Sequence, residues 1–431
     1  MTTTSTVRAG ASGRSRFLVA VVFFVFFVIS FLTNIIGPLV PDIIAGFHVS
    51  MAMAAILPFA FFIAYGVMSI PAGFAVERWG EKPLLVASFV AATLGATSFA
   101  AFPSYSVAVA SLFVIGAGMA VLQVVINPLL RVAGGAEHFA FNSAFAQFIF
   151  GAASFLSPLV FSSLVTHLES AHREGFYALL GSITPPALPW VSIYWIFAVV
   201  SGISVVAMAL LRLPKVDRTT EESAGTLGMY RELLRNRFVW LYFLAIVAYV
   251  GCEQGTADWM SPFLERYHHV DPHTGGAHAV AYFWGLMTAG CLLGMGLLKL
   301  FDSRRVLIGF SLGALAMLSM ALFGSADVAL VAFPCMGFFA SIMWPTLVSL
   351  GLNSVPQHHG PFAGILCSGI MGGALVPELI GWLGDLCGLR IGMLFLYVTF
   401  GFVLSVGFWA RPLIRNATRA SASEPVLNTP A

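Results

Sequence analysis

Two side-chain amides, Gln123 and Asn127, lie four residues apart in an apolar stretch, and Pro128 follows them directly. A spacing of four places both amides on one face of a helix. Pro128 cannot donate to the helical ladder, so it leaves the carbonyl of Val124 free beside them. Amides offer both donors and acceptors, which suits a neutral ligand rich in hydroxyl groups. The pair could equally join two helices by hydrogen bonds, and the sequence leaves both interpretations open.

Glu253 is an acidic residue deep in an apolar segment, where Gly251 and Gly255 flank it. Burying an ionised carboxylate costs several kcal/mol unless it is paired or protonated. We therefore interpret Glu253 as a binding residue in a helix that its two glycines allow to unwind. Asp258 and Glu378 are further acids in apolar segments. A purely structural carboxylate, bonded to a neighbouring helix, is the alternative for Glu253.

The elements that must position these residues are long apolar helices. Of the 431 residues, 59% are hydrophobic and only 9% are charged, whereas soluble domains carry about a quarter charged residues. About 20 apolar residues cross the ~30 Å hydrocarbon core as a helix. The sequence therefore predicts an all-α polytopic membrane protein with twelve spans, at 17–41, 53–75, 83–102, 106–130, 140–166, 190–212, 237–264, 279–300, 306–324, 328–352, 362–384 and 390–412.

The distribution of Lys and Arg predicts the orientation of these spans, because cytoplasmic loops are enriched in both residues. With the N-terminus inside, the inner segments hold 18 basic residues and the outer segments hold 3. We expect a plasma (inner) membrane protein, embedded in the lipid bilayer, with both termini cytoplasmic. The long polar stretch between spans six and seven predicts the domain bounds 1–212, 213–236, 237–412 and 413–431, which are two six-helix halves, a linker and a tail.

The junction between the second and third spans reads GFAVERWGEK over residues 73–82. This segment resembles the signature of the major facilitator superfamily, whose two six-helix halves rock about a substrate site near the midplane. The resemblance implies a conformational latch, in which a carboxylate and basic residues break and reform contacts as the halves move. A plain positively charged loop with a glycine turn is the alternative. The predicted latch residues are Gly73, Glu77, Arg78, Gly80 and Lys82.

Four further stretches resemble the fucose–galactose–glucose:proton symporter family of sugar transporters. They are LQVVINP at 122–128, YVGCE at 249–253, PTLVSLG at 345–351 and GGALVP at 372–377, the last followed by Gly381 and Asp385. The resemblance covers roughly residues 20–410 and implies ion-coupled import of a hexose or deoxyhexose by alternating access. The substrate-binding residues that it implies, together with the reasoning above, are Asn34, Gln123, Asn127, Asn142, Gln147 and Glu253.

The chain also departs from this family in three places. Asn34 and Gln123 stand where proton-coupled members carry carboxylates, and neither amide can titrate. Phe145 and Phe148 stand in the fifth span where relatives carry further amides. Any coupling to H⁺ or Na⁺ would therefore use Glu253, Glu378 or Asp258. The departures favour an alternative, a facilitator or exporter of a less polar molecule.

Other function classes have little support in the sequence. It contains no His-Glu-x-x-His, Gly-x-Ser-x-Gly or Gly-Lys-Ser/Thr pattern, so we expect no enzyme. The five cysteines show no metal-ligand spacing, and we interpret the histidines at 268, 269, 273 and 278 as a solvated cluster in an outer loop. We expect no metal, no cofactor and no nucleic-acid partner, and a monomer.

Overall fold

The chain folds as a bundle of long helices. The computed structural model describes residues 16–134, 139–170, 173–211 and 226–413, and this part of the chain contains helices and no strand. The predicted fold class is confirmed. The twelve helical spans are Phe17–Phe47, Met51–Trp79, Glu81–Ala101, Tyr105–Ile126, Phe145–Glu169, Pro189–Leu210, Arg237–His268, Pro272–Leu300, Ser303–Phe323, Ala326–Leu352, His359–Cys387 and Leu389–Trp409.

Two shorter helices, Gly175–Ile183 and Leu227–Leu233, lie between spans. The second lies within the predicted linker, 213–236. Residues 212–225 and 414–431, which include most of the linker and the tail, lie outside the described residues. Because the number of spans is even, the first span begins and the last span ends on the same face of the bundle. We call it the terminal face, and we call the opposite face, where the first span ends, the distal face.

The most extensive contacts between the two halves lie along two pairs of spans. The second span packs along the eleventh, and the fifth span packs along the eighth. The fifth and eighth spans come closest at Gly151, where an added Cβ would lie 1.8 Å from the hydroxyl of Thr288. Small residues at such positions let membrane helices approach closely and gain van der Waals contact.

The first span is broken in the middle. Its two helices, Arg16–Thr33 and Ile36–Phe47, are separated by Asn34 and Ile35. Pro38 lacks a backbone N–H, so it cannot bond the carbonyl of Asn34 four residues earlier. The break thus follows from the position of Pro38 in the sequence.

The tenth span is broken in the same way, between Ala326–Ala340 and Met343–Leu352. Pro345 leaves the carbonyl of Ser341 without its helical donor, and the thiol of Cys291 in the eighth span donates to that carbonyl over 3.2 Å. Each half thus contains one span whose break exposes a backbone carbonyl inside the bundle.

Several spans are longer than the sequence predicts. The first extends to Phe47 rather than residue 41, and the second extends to Trp79 rather than residue 75. The predicted bounds follow hydropathy, which marks the part of a helix that lies in hydrocarbon. The helical hydrogen bonding continues beyond that part until a cap ends it, as Gly80 does for the second span.

Candidate functional site

Glu253 is the centre of a polar cluster in the seventh span. The hydroxyl of Tyr249, one helical turn away, donates to Oε2 of Glu253. The amide of Gln254 donates to Oε1 over 3.2 Å. The ring of Tyr249 lies 6.2 Å from the ring of Trp344 in the tenth span. Both carboxylate oxygens are therefore engaged, while the Glu253 side chain keeps part of its surface accessible.

The seventh span is continuous from Arg237 to His268, so the expected unwinding beside Glu253 does not occur in this structure. Gly251 and Gly255 instead allow close packing. An added Cβ at Gly251 would lie 2.3 Å from the side chain of Val376 in the eleventh span, and one at Gly255 would lie 3.3 Å from it. The two glycines thus bring the eleventh span against the helix that carries Glu253.

The cluster also borders the contact between the two halves. Gly373 in the eleventh span faces two side chains, since its added Cβ would lie 3.0 Å from the ring of Phe62 and 3.1 Å from Gln254. Phe62 belongs to the second span, in the other half. A movement of one half against the other would therefore change the surroundings of Gln254 and, through it, those of Glu253.

Asn34 lies between the first and fifth spans. Its amide donates to Ser154 Oγ over 2.8 Å, and Ser154 Oγ is 2.6 Å from Ser30 Oγ. Ser157 continues this contact by donating to the carbonyl of Phe31 over 2.8 Å. Only 4% of Asn34 is exposed. This geometry favours a role in joining the two helices, and the contact of Asn34 with substrate stays a prediction.

The other predicted amide ligands are spread over the fourth and fifth spans. Gln123 and Asn142 are half-buried, and Gln147 is exposed. Asn127 lies within a described helix, but its side chain is outside the described residues. The convergence of these amides on one substrate stays a prediction.

The aromatic residues of the fifth span form an accessible surface. Phe145 and Phe148 are both exposed by about two fifths. Their rings stack with centroids 6.1 Å apart, and Phe145 also lies 5.0 Å from Phe23 of the first span. These residues were noted in the sequence only as replacements for amides, and the structure places them together.

Asp258 is buried on the same helix as Glu253. Only 2% of the residue is exposed, and its Oδ2 has no hydrogen-bond partner among the described residues. It lies where the first span meets the seventh, since an added Cβ at Gly37 would be 3.3 Å from the Asp258 Cα. Glu378 in the eleventh span is half-buried, and its Oε2 also has no partner in the described part of the chain.

The predicted latch forms the turn between the second and third spans on the terminal face. Gly80 has φ of +80°, a backbone conformation that favours glycine. Lys82 Nζ donates to the carbonyls of Ala209 and Leu211 over 2.7 Å each. Those carbonyls belong to the end of the sixth span, where cations are favoured. Lys82 therefore anchors the turn to its own half.

The linker helix Leu227–Leu233 lies near Glu77 and packs its Tyr230 beside Phe74, a neighbour of the latch residue Gly73. Phe74 lies 6.1 Å from the ring of Tyr230. Burial, together with the negative charge of Glu77, raises the pKa of Tyr230 above its usual range. Arg78 is exposed and lies over the ring of Trp79. Gly73 is half-buried on the same turn of helix. Breaking and reforming of these contacts stays a prediction.

A polar contact that the sequence does not predict joins the halves on the distal face. His273 Nε2 lies 2.9 Å from Asp42 Oδ1, and His273 Nδ1 lies 3.6 Å from Glu169. Asp42 and Glu169 end the first and fifth spans, whereas His273 begins the eighth. The interpretation of His273 as a solvated loop residue was wrong. The sequence offers one signal for this contact. His273 comes just before an apolar stretch, and Asp42 and Glu169 lie near the ends of two other apolar stretches.

Comparisons with known proteins agree with this architecture. The family model described as Major Facilitator Superfamily matches residues 22–376. The chain is 27% identical to the glucose/galactose transporter of Brucella abortus biovar 1 (strain 9-941) over 395 residues, which are 89% of this chain and 91% of the relative. It is 26% identical to the L-fucose-proton symporter of Escherichia coli (strain K12) over 384 residues, which are 84% and 86% of the two chains.

The crystal structure of the E. coli fucose:proton symporter has the same fold. It superimposes with a TM-score of 0.65 at 21% identity, covering 93% of this chain and all of that one. The resemblance to the symporter family that the four sequence stretches indicate is confirmed. With twelve spans in two halves and a family match across most of its length, the chain belongs to the Major Facilitator Superfamily and is a transporter rather than an enzyme.

Proposed function

We propose that this transporter moves a small neutral hydroxylated solute, a hexose or deoxyhexose sugar, by alternating access and ion-coupled import. The observation that carries the proposal is the cluster of Tyr249, Glu253 and Gln254. Its first two members belong to the stretch YVGCE at 249–253, which resembles a stretch of the sugar symporter family. A carboxylate, a phenol and an amide together accept and donate hydrogen bonds, as sugar hydroxyls require. The relatives named as glucose/galactose transporter and fucose-proton symporter support the same substrate class.

Aromatic side chains suit the apolar faces of such a ligand. Trp344 lies beside Tyr249, and Phe145 and Phe148 offer an exposed pair of rings on the fifth span. Aromatic faces pack against the C–H side of pyranose rings. We expect the polar contacts to come from Asn34, Gln123, Asn127, Asn142, Gln147 and Glu253.

Energy coupling is proposed to use Glu253, with Glu378 and Asp258 as the other candidates. Asn34 and Gln123 cannot bind or release a proton. Glu253 is half-buried rather than fully buried, and its two oxygens already accept hydrogen bonds from Tyr249 and Gln254. Binding of the sugar to one protonation state of Glu253 would link the two fluxes, and a Na⁺ ion at the same carboxylate would link them equally well.

Reconstitution of the purified protein into liposomes tests the proposal. Labelled glucose, galactose and fucose are offered in counterflow, with and without imposed proton and sodium gradients. We expect counterflow of at least one of these sugars and its accumulation under one of the two gradients. Absence of counterflow for all hexoses and deoxyhexoses would contradict the substrate class.

A facilitator or exporter of a less polar molecule is the second candidate. The observation that favours it is the amide pair Asn34 and Gln123 at positions where proton-coupled relatives carry acids, together with the exposed Phe145 and Phe148. In the liposome experiment this candidate predicts exchange that neither gradient drives to accumulation.

We also propose a location for the protein and an orientation in its membrane. The excess of basic residues on the terminal face supports a plasma-membrane protein whose termini and linker are cytoplasmic. We expect it to act as a monomer, with each half moving as a unit bounded by residues 1–212 and 237–412.

A further inference from the structure

The turn after the eleventh span repeats the spacing of the predicted latch. In the latch, glycine, acid, glycine and base stand at 73, 77, 80 and 82. At the end of the eleventh span and the start of the twelfth, the same types stand at 381, 385, 388 and 390. Both segments end one span and begin the next, and both turn glycines have positive φ, +80° at Gly80 and +92° at Gly388. The first segment lies on the terminal face and the second on the distal face.

In the second segment the acid reaches across to the other half. Asp385 Oδ1 accepts a hydrogen bond from the backbone N–H of Met51 over 2.9 Å, and Oδ2 accepts one from Ala52 over 2.8 Å. Met51 and Ala52 are the first two residues of the second span. The base stays within its own half, since the Arg390 guanidinium lies 4.6 Å from the ring centre of Tyr267.

These bonds complete the cap of the second span. A helix leaves its first four N–H groups without a partner in the helix. Asp385 accepts from the first two, Ser50 Oγ accepts from Met53 over 3.2 Å, and the Ser50 carbonyl accepts from Ala54 over 2.9 Å. A carboxylate at this end is also favoured by the helix dipole, and its hydrogen bonds are charge-assisted. Asp385 in the second half thus caps the first turn of the second span, which belongs to the first half.

We propose that Asp385 and the first turn of the second span form a distal latch, which holds the distal face closed and must break when that face opens. Asp385 is a positioning residue, because it acts through the second span and does not contact the solute. The distal latch goes beyond the proposed function, since it concerns the conformational equilibrium of the empty protein.

Labelling of a buried cysteine measures this equilibrium without any substrate. Ala55 is buried against Gly381 beside the distal latch, so Ala55→Cys should react with a maleimide only when the distal face opens. Cys387 is exposed and serves as the reference, and the buried Cys252 reports unfolding. The protein is labelled in nanodiscs, and each site is quantified by mass spectrometry.

Asp385→Asn removes the charge and one acceptor. We expect the ratio of labelling at Ala55→Cys to labelling at Cys387 to rise by about tenfold, the order of shift that charge-assisted cap bonds produce, with Cys252 unlabelled. Asp327→Asn is the matched control, because Asp327 is an exposed acid in the first turn of the tenth span, also on the distal face. An unchanged ratio in Asp385→Asn would overturn the proposal.

A second pair of variants tests the donor side, in case Asp385→Asn does not fold. Met51→Pro removes the N–H that bonds Oδ1, at the helix position where proline is best tolerated. Met51→Ala removes the same side chain and keeps the N–H. We expect a higher labelling ratio in Met51→Pro than in Met51→Ala, and equal ratios would overturn the proposal.

Discussion

At the scale of the residue, the carboxylate of Glu253 accepts hydrogen bonds at both oxygens, and the residue is only half-buried. Tyr249 and Gln254 donate to its two oxygens, yet part of the side chain remains open. A carboxylate held in this way can take up a proton without rearranging the helix. The seventh span is continuous on both sides of Glu253.

Glu253→Gln should abolish gradient-driven accumulation of the solute and leave its exchange largely intact. The amide mimics the protonated acid in shape and cannot release a proton, so the two fluxes are no longer linked. The measurement is uptake and counterflow in liposomes. Glu265→Gln on the same helix, where the acid is exposed, serves as the control and should accumulate solute normally. Accumulation by Glu253→Gln would show that coupling lies elsewhere.

The two amides Gln123 and Asn34 should respond differently to truncation. We expect Gln123→Ala to weaken solute binding by about 1–3 kcal/mol, the range for a buried polar group that loses its partner. Asn34→Ala should weaken solute binding less than Gln123→Ala does and should lower the midpoint of thermal unfolding in detergent, because its amide also joins the first span to Ser154 of the fifth. Binding titrations and thermal melts on both variants check this, and the reverse pattern would exchange the two roles.

At the scale of the element, two spans can approach closely where a glycine of one packs against the backbone of the other. An added Cβ at Gly37 in the first span would lie 2.3 Å from the carbonyl oxygen of Ala257 in the seventh. A rigid backbone atom cannot move aside as a flexible side chain can. The first and seventh spans belong to different halves, so this contact helps to determine how closely the halves approach.

Gly37→Ala should destabilise this structure by about 1–3 kcal/mol, the usual cost of overpacking. We expect a lower thermal midpoint and slower transport. Gly401→Ala in the twelfth span is the matched control, since nothing lies within 4 Å of an added Cβ there. Equal midpoints for the two variants would contradict the close approach of the first and seventh spans.

At the scale of the whole molecule, the halves are joined on the distal face by polar contacts from several spans. Asp385 caps the second span, and His273 lies between Asp42 and Glu169. On the terminal face the linker helix supplies Tyr230, which packs beside Phe74. The two faces thus bring the halves together by different contacts.

The orientation of the whole molecule can be tested with two cysteines. A membrane-impermeant maleimide applied to intact cells should label the native Cys387, which is exposed on the distal face. It should not label a Gly225→Cys variant at the introduced site, because the linker should be cytoplasmic. Permeabilised cells provide the control for reactivity at residue 225. Labelling of residue 225 in intact cells would reverse the topology.

The sequence by itself determined the twelve spans, the two halves and the break at Asn34. These features follow from local rules, because each membrane helix must satisfy its own backbone and proline interrupts its ladder. Only the tertiary structure decided the partners of the polar side chains. Asp385 and Met51 are 334 residues apart, and Asn34 and Ser154 are 120 apart. Which of them meet depends on how the helices pack, and hydropathy and residue spacing carry no information on that packing.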